Sequence, residues 1–276
     1  MARFGCFPCA ASNKGESTKR GGGSVTHDGV RSAQAESEYD VANARVFTLI
    51  ELIVATDEFH SERVLGEGKQ GRVYMGTLSD GQKVAVKKLK RNTQEGRAEF
   101  MVEVKMLSSL KHSNLVKLIG YHEKGSDQFI VYELMPLRSL DLHLHGHEIG
   151  SKPLDWKTRM KIAEGVAKAL QYLHDQMDPP LLYGGLKTSG ILLDEEFNPK
   201  LSDFSFAKVG PTWDFTKVST MVMGIKGYCP PEYGMTGMLT KQYDIYSFGV
   251  VLLELITGRM AILETHPSRM RSIVSW

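Results

Sequence analysis

The chain has 276 residues, 42% hydrophobic and 24% charged, the composition of an ordinary globular protein, which excludes collagenous, wholly disordered and membrane-embedded classes. Its 34 basic and 32 acidic residues leave a formal charge of +2, too balanced to indicate nucleic acid or a strongly charged substrate as partner. Cys6, Cys9 and Cys229 are too few for a disulfide framework, which suits a reducing compartment, and no signal-peptide pattern is visible.

Residues 1–45 are rich in Gly, Ser, Ala and mixed charge, including Gly21-Gly22-Gly23-Ser24, and lack an apolar period, so they read as a flexible tail. From Phe47 the texture changes. Leu49, Leu52, Ile53 and Ala55 recur with roughly helical spacing before Phe59, and 72–77 and 82–89 then alternate like paired strands around the turn Ser79-Asp80-Gly81. Residues 99–110 place Phe100, Val104, Leu107 and Leu110 on one helical face. Asp155 is positioned to cap a further helix that turns Ile162, Val166, Ala169, Leu170 and Leu173 inward. The apolar run 248–256 is far shorter than the roughly 20 residues of a spanning helix and reads as a buried core helix. A strand-rich first half and a helix-rich second half suggest a small sheet-based lobe followed by a helical one.

Gly66-Glu67-Gly68-Lys69-Gln70-Gly71-Arg72-Val73 has the form G-x-G-x-x-G-x-V, in which missing side chains let backbone N–H groups approach phosphates. Alone it is equally a hairpin turn that needs glycine dihedrals. Val84-Ala85-Val86-Lys87 follows on the next strand, and Glu103 falls on the next helix, where a carboxylate could hold the lysine ammonium against phosphates; either residue alone reads as solvated surface. Leu182-Tyr183-Gly184-Gly185-Leu186-Lys187, Ile191-Leu192-Leu193-Asp194, Asp203-Phe204-Ser205 and Pro230-Pro231-Glu232 come later in the order and approximate spacing of a protein kinase.

With the run YDIYSFGVVLLELITGR at 243–259, residues 47–276 resemble the plant receptor-like cytoplasmic serine/threonine kinases. The resemblance implies an α+β bilobal protein-kinase-like fold over 46–276, with an N-lobe of about 59–135 and a C-lobe of about 136–276. It implies ATP and Mg²⁺ in the cleft between the lobes. Gly66, Gly68 and Gly71 would cover the phosphates, Lys87 and Glu103 would form the ion pair, and Tyr132 would guard the back of the pocket. Glu133 to Met135 would form the hinge at adenine, Val73, Ala85 and Leu192 would sandwich the base, and Asp203 would ligate the metal.

The departures concern the chemistry. The family carries Arg-Asp where this chain has Gly184-Gly185, and the aspartate accepts the substrate hydroxyl proton; the asparagine that ligates a second magnesium aligns with Gly190. Lys187 and Asp203 are retained. Loss of arginine at Gly184 removes the cation that would pair with a phosphorylated activation loop, although Ser219 and Thr220 remain as acceptors. Ile225 replaces a threonine that helps hold peptide substrate, and Ser205 replaces a glycine that gives its loop hinge freedom.

The family also continues for several helices beyond Trp276, so a C-lobe lacking its last helices and an exposed apolar face on helix 244–257 are expected. In the tail, Gly5 is not where N-myristoylation requires it. Cys6 and Cys9, with Arg3, Lys14, Lys19 and Arg20 nearby, are candidates for S-palmitoylation and peripheral attachment to the plasma membrane; two free thiols are the plainer reading. The expected function is an ATP-binding pseudokinase that scaffolds or regulates receptor kinases or other signalling proteins. The alternatives are a weakly active serine/threonine kinase and a nonfunctional truncated product.

Overall fold

The computed structural model describes residues 44–68, 70–90, 94–146, 153–210, 218–219, 225–266 and 269–275. Nearly all of the expected tail, with Cys6 and Cys9, and also Thr220, lies outside them. The first strand, β1 (Arg45–Val46), leads into α1 (Leu49–Ala55), whose start is fixed by a capping box: Thr48 accepts from the Glu51 N–H while the Glu51 carboxylate accepts from the Thr48 N–H. Then come β2 (Val64–Glu67), β3 (Gly71–Thr77), β4 (Lys83–Leu89), α2 (Gln94–Ser109), β5 (Leu118–Lys124) and β6 (Asp127–Glu133). These strands form one six-stranded sheet in the order β1-β5-β6-β4-β3-β2.

Alternation along the strands gives the sheet two working faces. Tyr74 pairs with Val86, and Val86 with Val131. Val84, Val86, Phe129 and Val131 on that face pack with Phe47, Leu52, Ala55 and Leu78 in a small core under α1. The opposite face carries Val73, Ala85, Lys87, Ile130 and Tyr132, since Val73 pairs with Lys87, Lys87 with Ile130, and Ala85 with Tyr132. A one-residue slip would send Lys87 into the α1 core, so the apolar pattern itself dictates where the lysine points.

The second lobe begins after the hinge with α3 (Leu140–His145) and α4 (Trp156–Gln171), which is capped by Asp155 and continues through a wider turn at Tyr172–Gln176. Then follow β7 (Leu181–Leu182), β8 (Ile191–Leu193), β9 (Pro199–Leu201), β10 (Lys208–Val209), β11 (Val218–Ser219) and α5 (Pro231–Thr236). Next come β12 (Met238–Leu239), α6 (Lys241–Thr257), β13 (Ile262–His266) and β14 (Arg269–Ser272). Ile162, Val166, Ala169, Leu170 and Leu173 are all buried, as their spacing predicts. The chain therefore has the α+β bilobal kinase architecture, a sheet-based lobe followed by a helical one. No helix among the described residues is long and apolar enough to cross a membrane.

Helix α6 is packed on one side and carries exposed apolar residues on the other. Val250, Val251 and Leu255 are buried in the main core together with Tyr228, Ala261 and Ile273, while Ile245 and Ile256 on the other side are exposed. The hairpin β13–β14 and the short turn at Ile273–Ser275 bring chain back against the helix.

Candidate functional site

The cleft between the lobes is lined from above by the second sheet face and from behind by α2. Phe100, Val104 and Leu107 anchor α2 in the core, and Glu103, on the same helical face, is carried inward with them to 1% exposure. A carboxylate buried that deeply needs partners. It has two: Lys87 Nζ donates to Glu103 Oε2 at 2.8 Å, and the Tyr132 hydroxyl donates to Oε1 at 2.7 Å. Lys87 Nζ also lies 3.9 Å from Asp203 Oδ1. Burial pulls the Lys87 pKa down, but the charges of Glu103 and Asp203 outweigh it and hold the ammonium above its ordinary value. For Tyr132, burial first and the Glu103 charge second push the phenol well above its usual range, so it stays a donor.

Asp203 sits in the left-handed region at φ 62°, at the start of a short turn over Phe204–Phe206. Burial pushes its carboxyl up, yet Lys87, Lys187 and the Ser205 hydrogen bond together hold it below its ordinary value. Lys187 Nζ is 3.9 Å from Oδ2. Ser205 itself has no positive φ, so this turn needs no glycine there.

The glycine-rich segment is a tight hairpin between β2 and β3. Gly68 N–H donates to Gly71 O at 2.8 Å, and a Cβ on Gly71 would lie 2.0 Å from Lys88 O, so no other residue fits that approach. At Gly66 and Gly68 a Cβ would meet nothing within 4 Å. Those two positions open onto free space, as a backbone cradle for phosphate oxygens must.

Below the cleft, Leu192 on β8 is tied to the segment after the hinge: Leu137 N–H donates to Leu193 O at 3.2 Å and Leu193 N–H to Arg138 O at 2.8 Å. Leu192 itself is bridged to Ser139 across that segment. In the hinge, Glu133 turns its carboxylate to Lys200 (2.8 and 3.0 Å) and to the Lys117 N–H (2.8 Å), while Met135 is buried and its carbonyl accepts from Arg138 N–H at 3.0 Å.

The segment that would hold the substrate hydroxyl is rigidly mounted. Asp244 of α6, fully buried, accepts from Tyr183 N–H (2.8 Å), Gly184 N–H (2.7 Å) and His174 Nε2 (2.8 Å). Gly184 has φ 67°. At Gly185 a Cβ would find Phe206 at 3.4 Å, and at Gly190 it would find the Tyr183 hydroxyl at 3.6 Å, both ordinary contacts. The scaffold leaves room for side chains that the sequence does not supply. Ser219 lies on β11, paired with Met238 of β12.

Sequence reasoning brought Lys87, Glu103, Tyr132 and Asp203 to one place, and the structure joins them by direct contacts. It did not anticipate Gln70 reaching Ser205, Arg138 reaching Leu65 O (2.5 Å), or the buried Glu254 cluster of His145, Tyr228 and the Ala261 N–H. None of these has a local sequence signal, because, the Ala261 N–H seven residues from Glu254 excepted, each pairs residues far apart in the chain. Glu254 carried only the anomaly of a charge within an apolar run.

The residues present fit a nucleoside triphosphate: two ammonium groups stand beside Asp203, and the glycine-rich hairpin is open at Gly66 and Gly68. They fit a metal less well. No group of three or more His, Cys, Asp or Glu that could hold an ion occurs among the described residues, and Asp203 is the acidic side chain offered to the phosphate region.

A two-lobed fold with this lysine, glutamate and aspartate around the cleft defines a protein-kinase domain. The family model described as protein tyrosine and serine/threonine kinase matches residues 59–275. The chain belongs to that family, in its plant receptor-like cytoplasmic serine/threonine branch. It is 56% identical over 234 residues, 84% of its length, to the probable serine/threonine-protein kinase PBL25 of Arabidopsis thaliana, covering 61% of that protein. Over 234 residues in each case it is 56% identical to the serine/threonine-protein kinases PBS1 and PBL27 of the same plant, covering 51% and 46% of them. The chain thus spans about half the length of the curated relatives it matches.

Proposed function

We propose that this chain is a pseudokinase: it binds ATP in the cleft and acts through binding, as a scaffold or regulator of receptor kinases or other signalling proteins. The observation that carries the proposal is a contrast within one site. Lys87, Glu103 and Asp203 are assembled in direct contact, while Gly185 and Gly190 offer no carboxylate to accept a hydroxyl proton and no amide for a second metal. A positioned general base contributes about 10²- to 10⁴-fold in rate, so transfer without it is slow. Gly66, Gly68 and Gly71 would cradle the phosphates, Val73, Ala85 and Leu192 would hold the base, and the backbone from Glu133 to Met135 would read its edge. Asp203 stands where the resemblance places a metal ligand.

The second reading is a weakly active serine/threonine kinase, favoured by the retained Lys187 beside Asp203 and by the dependence of phosphoryl transfer chiefly on positioning and charge. In either reading, S-acylation of Cys6 and Cys9 would bring the domain to the plasma membrane, and Ser219 and Thr220 are the activation-segment acceptors. A thermal melt of the purified chain with and without ATP, beside Lys87→Met, tests the common core. A ligand at 100 times its Kd raises stability by about 2.7 kcal/mol, and that gain should vanish in the variant. A cooperative melt indifferent to ATP would sink the nucleotide reading. Autophosphorylation followed by mass spectrometry separates the two: phosphate incorporation that is lost in Lys87→Met establishes the enzyme.

A further inference from the structure

A relay of side chains crosses the cleft that the nucleotide-binding residues do not account for. Gln70, at the tip of the glycine-rich hairpin, donates its amide to Glu99 Oε2 of α2 at 3.0 Å and to Ser205 Oγ at 2.8 Å. Ser205 is buried, 5% exposed, and donates its one proton to Asp203 Oδ1 at 2.8 Å. With its proton on Asp203 and one of its two lone pairs taken by Gln70, the hydroxyl is held in place. Lys87 Nζ stands 3.9 Å from Asp203 Oδ1, and Lys187 Nζ 3.9 Å from Oδ2. That carboxylate is therefore faced by one hydroxyl and two cations.

Mg²⁺ takes near-octahedral oxygen ligands at about 2.0–2.1 Å and gives up water reluctantly, so it needs carboxylate lone pairs that are free. Here an ion at Oδ1 would compete with the Ser205 proton, and an ion at either oxygen would settle beside two ammonium groups, with a single carboxylate in return. The same two ammonium groups already supply the positive charge that phosphates require. Resting on the nucleotide-binding reading above, the geometry points to a cleft that binds nucleoside triphosphate independently of divalent metal, with Ser205 and Gln70 as the positioning residues that hold Asp203 away from the ion. Lys87 and Lys187 carry the charge neutralisation a metal would otherwise provide.

The test is a titration of the full chain with N-methylanthraniloyl-ATP, followed by fluorescence, in EDTA and in saturating Mg²⁺. The wild-type Kd should agree within about twofold between the two conditions. Ser205→Gly and Gln70→Ala free Asp203 and should bind at least about tenfold more tightly with Mg²⁺ than in EDTA. Ser205→Thr keeps the hydroxyl and should stay metal-indifferent, and Asp203→Asn added to Ser205→Gly should erase the gain. Thermal melts of each variant establish that it is folded. Wild-type binding strengthened tenfold or more by Mg²⁺ overturns the inference and leaves ATP binding intact. Variants as metal-indifferent as the wild type overturn the assignment to Ser205 and Gln70. Absence of wild-type binding in both conditions overturns this inference together with the reading it rests on.

Discussion

Lys87 serves two ends at once. It is the cation of the cleft and also the partner that makes Glu103, 1% exposed, tolerable inside the protein. Lys87→Met should therefore lower unfolding stability by about 3 kcal/mol in addition to removing the ATP response, because it leaves a buried carboxylate without its counter-charge, with the Tyr132 hydroxyl still donating to it at 2.7 Å; urea denaturation without nucleotide measures it. Glu99 behaves in the opposite sense. Burial, which outweighs its bond from Gln70, raises its pKa, so the fold disfavours the ionised form. For a carboxyl raised in the folded state, stability is gained as pH falls through that pKa toward the unfolded value of about 4.3. Glu99→Gln retains an acceptor for Gln70 and removes the charge; it should be more stable than the wild type at neutral pH, with the difference shrinking below about pH 4. Urea midpoints at the two pH values decide it. At Gly184, φ 67° and the 3.2 Å approach of Leu239 and Phe206 O make any side chain costly, so Gly184→Ala should lose about 1–2 kcal/mol. Gly185→Asp should fold normally, since only ordinary contacts await its Cβ. Comparing the two melts separates a glycine that the backbone requires from one that the chemistry merely lacks.

At the scale of elements, what could be read in the sequence was what repeats locally. The alternation of β3 and β4 fixes register, and register puts Val73, Ala85 and Lys87 on one face; the periodicity of α4 names its buried side chain by side chain. The start of α2 at Gln94, five residues before the apolar periodicity suggested, was not visible, because its first turns carry charged residues and a glycine rather than core positions. Helix α1 was only hinted at, though its capping box is written plainly in Thr48 and Glu51. Thr48→Ala should cost about 1 kcal/mol and loosen the small core of Phe47, Leu52 and Phe129, seen as faster amide exchange along β5 and β6 with little change in the helical lobe. The cleft residues could be placed by motif spacing. Gln70, Ser205 and Arg138 could not be joined, since no local rule couples a hairpin tip to a turn 135 residues away.

At the scale of the molecule, two buried acids of α6 organise the helical lobe. Asp244 holds the segment at Tyr183 and Gly184, and Glu254 gathers His145 of α3 (3.1 Å), Tyr228 (2.5 Å) and the Ala261 N–H (3.0 Å). Burial, followed by the Glu254 charge, raises the Tyr228 pKa strongly, so that hydroxyl remains a donor. Glu254→Ala strands several buried polar groups at once and should cost about 3–5 kcal/mol, lowering the thermal midpoint of the whole domain.

The two edges of the six-stranded sheet are finished differently. On one side β1 lies parallel to β5, so close that Gly120 leaves no room for a Cβ beside Arg45 O, and the backbone of β5 is covered at Gly120 and Tyr121. On the other side β2 ends the sheet, with its pairing to β3 interrupted between Val64 and Gly66. An irregular, glycine-broken border is a poor template for a neighbouring chain. The sheet is thus shielded from edge-to-edge growth by a covering strand at one end and by its own irregularity at the other.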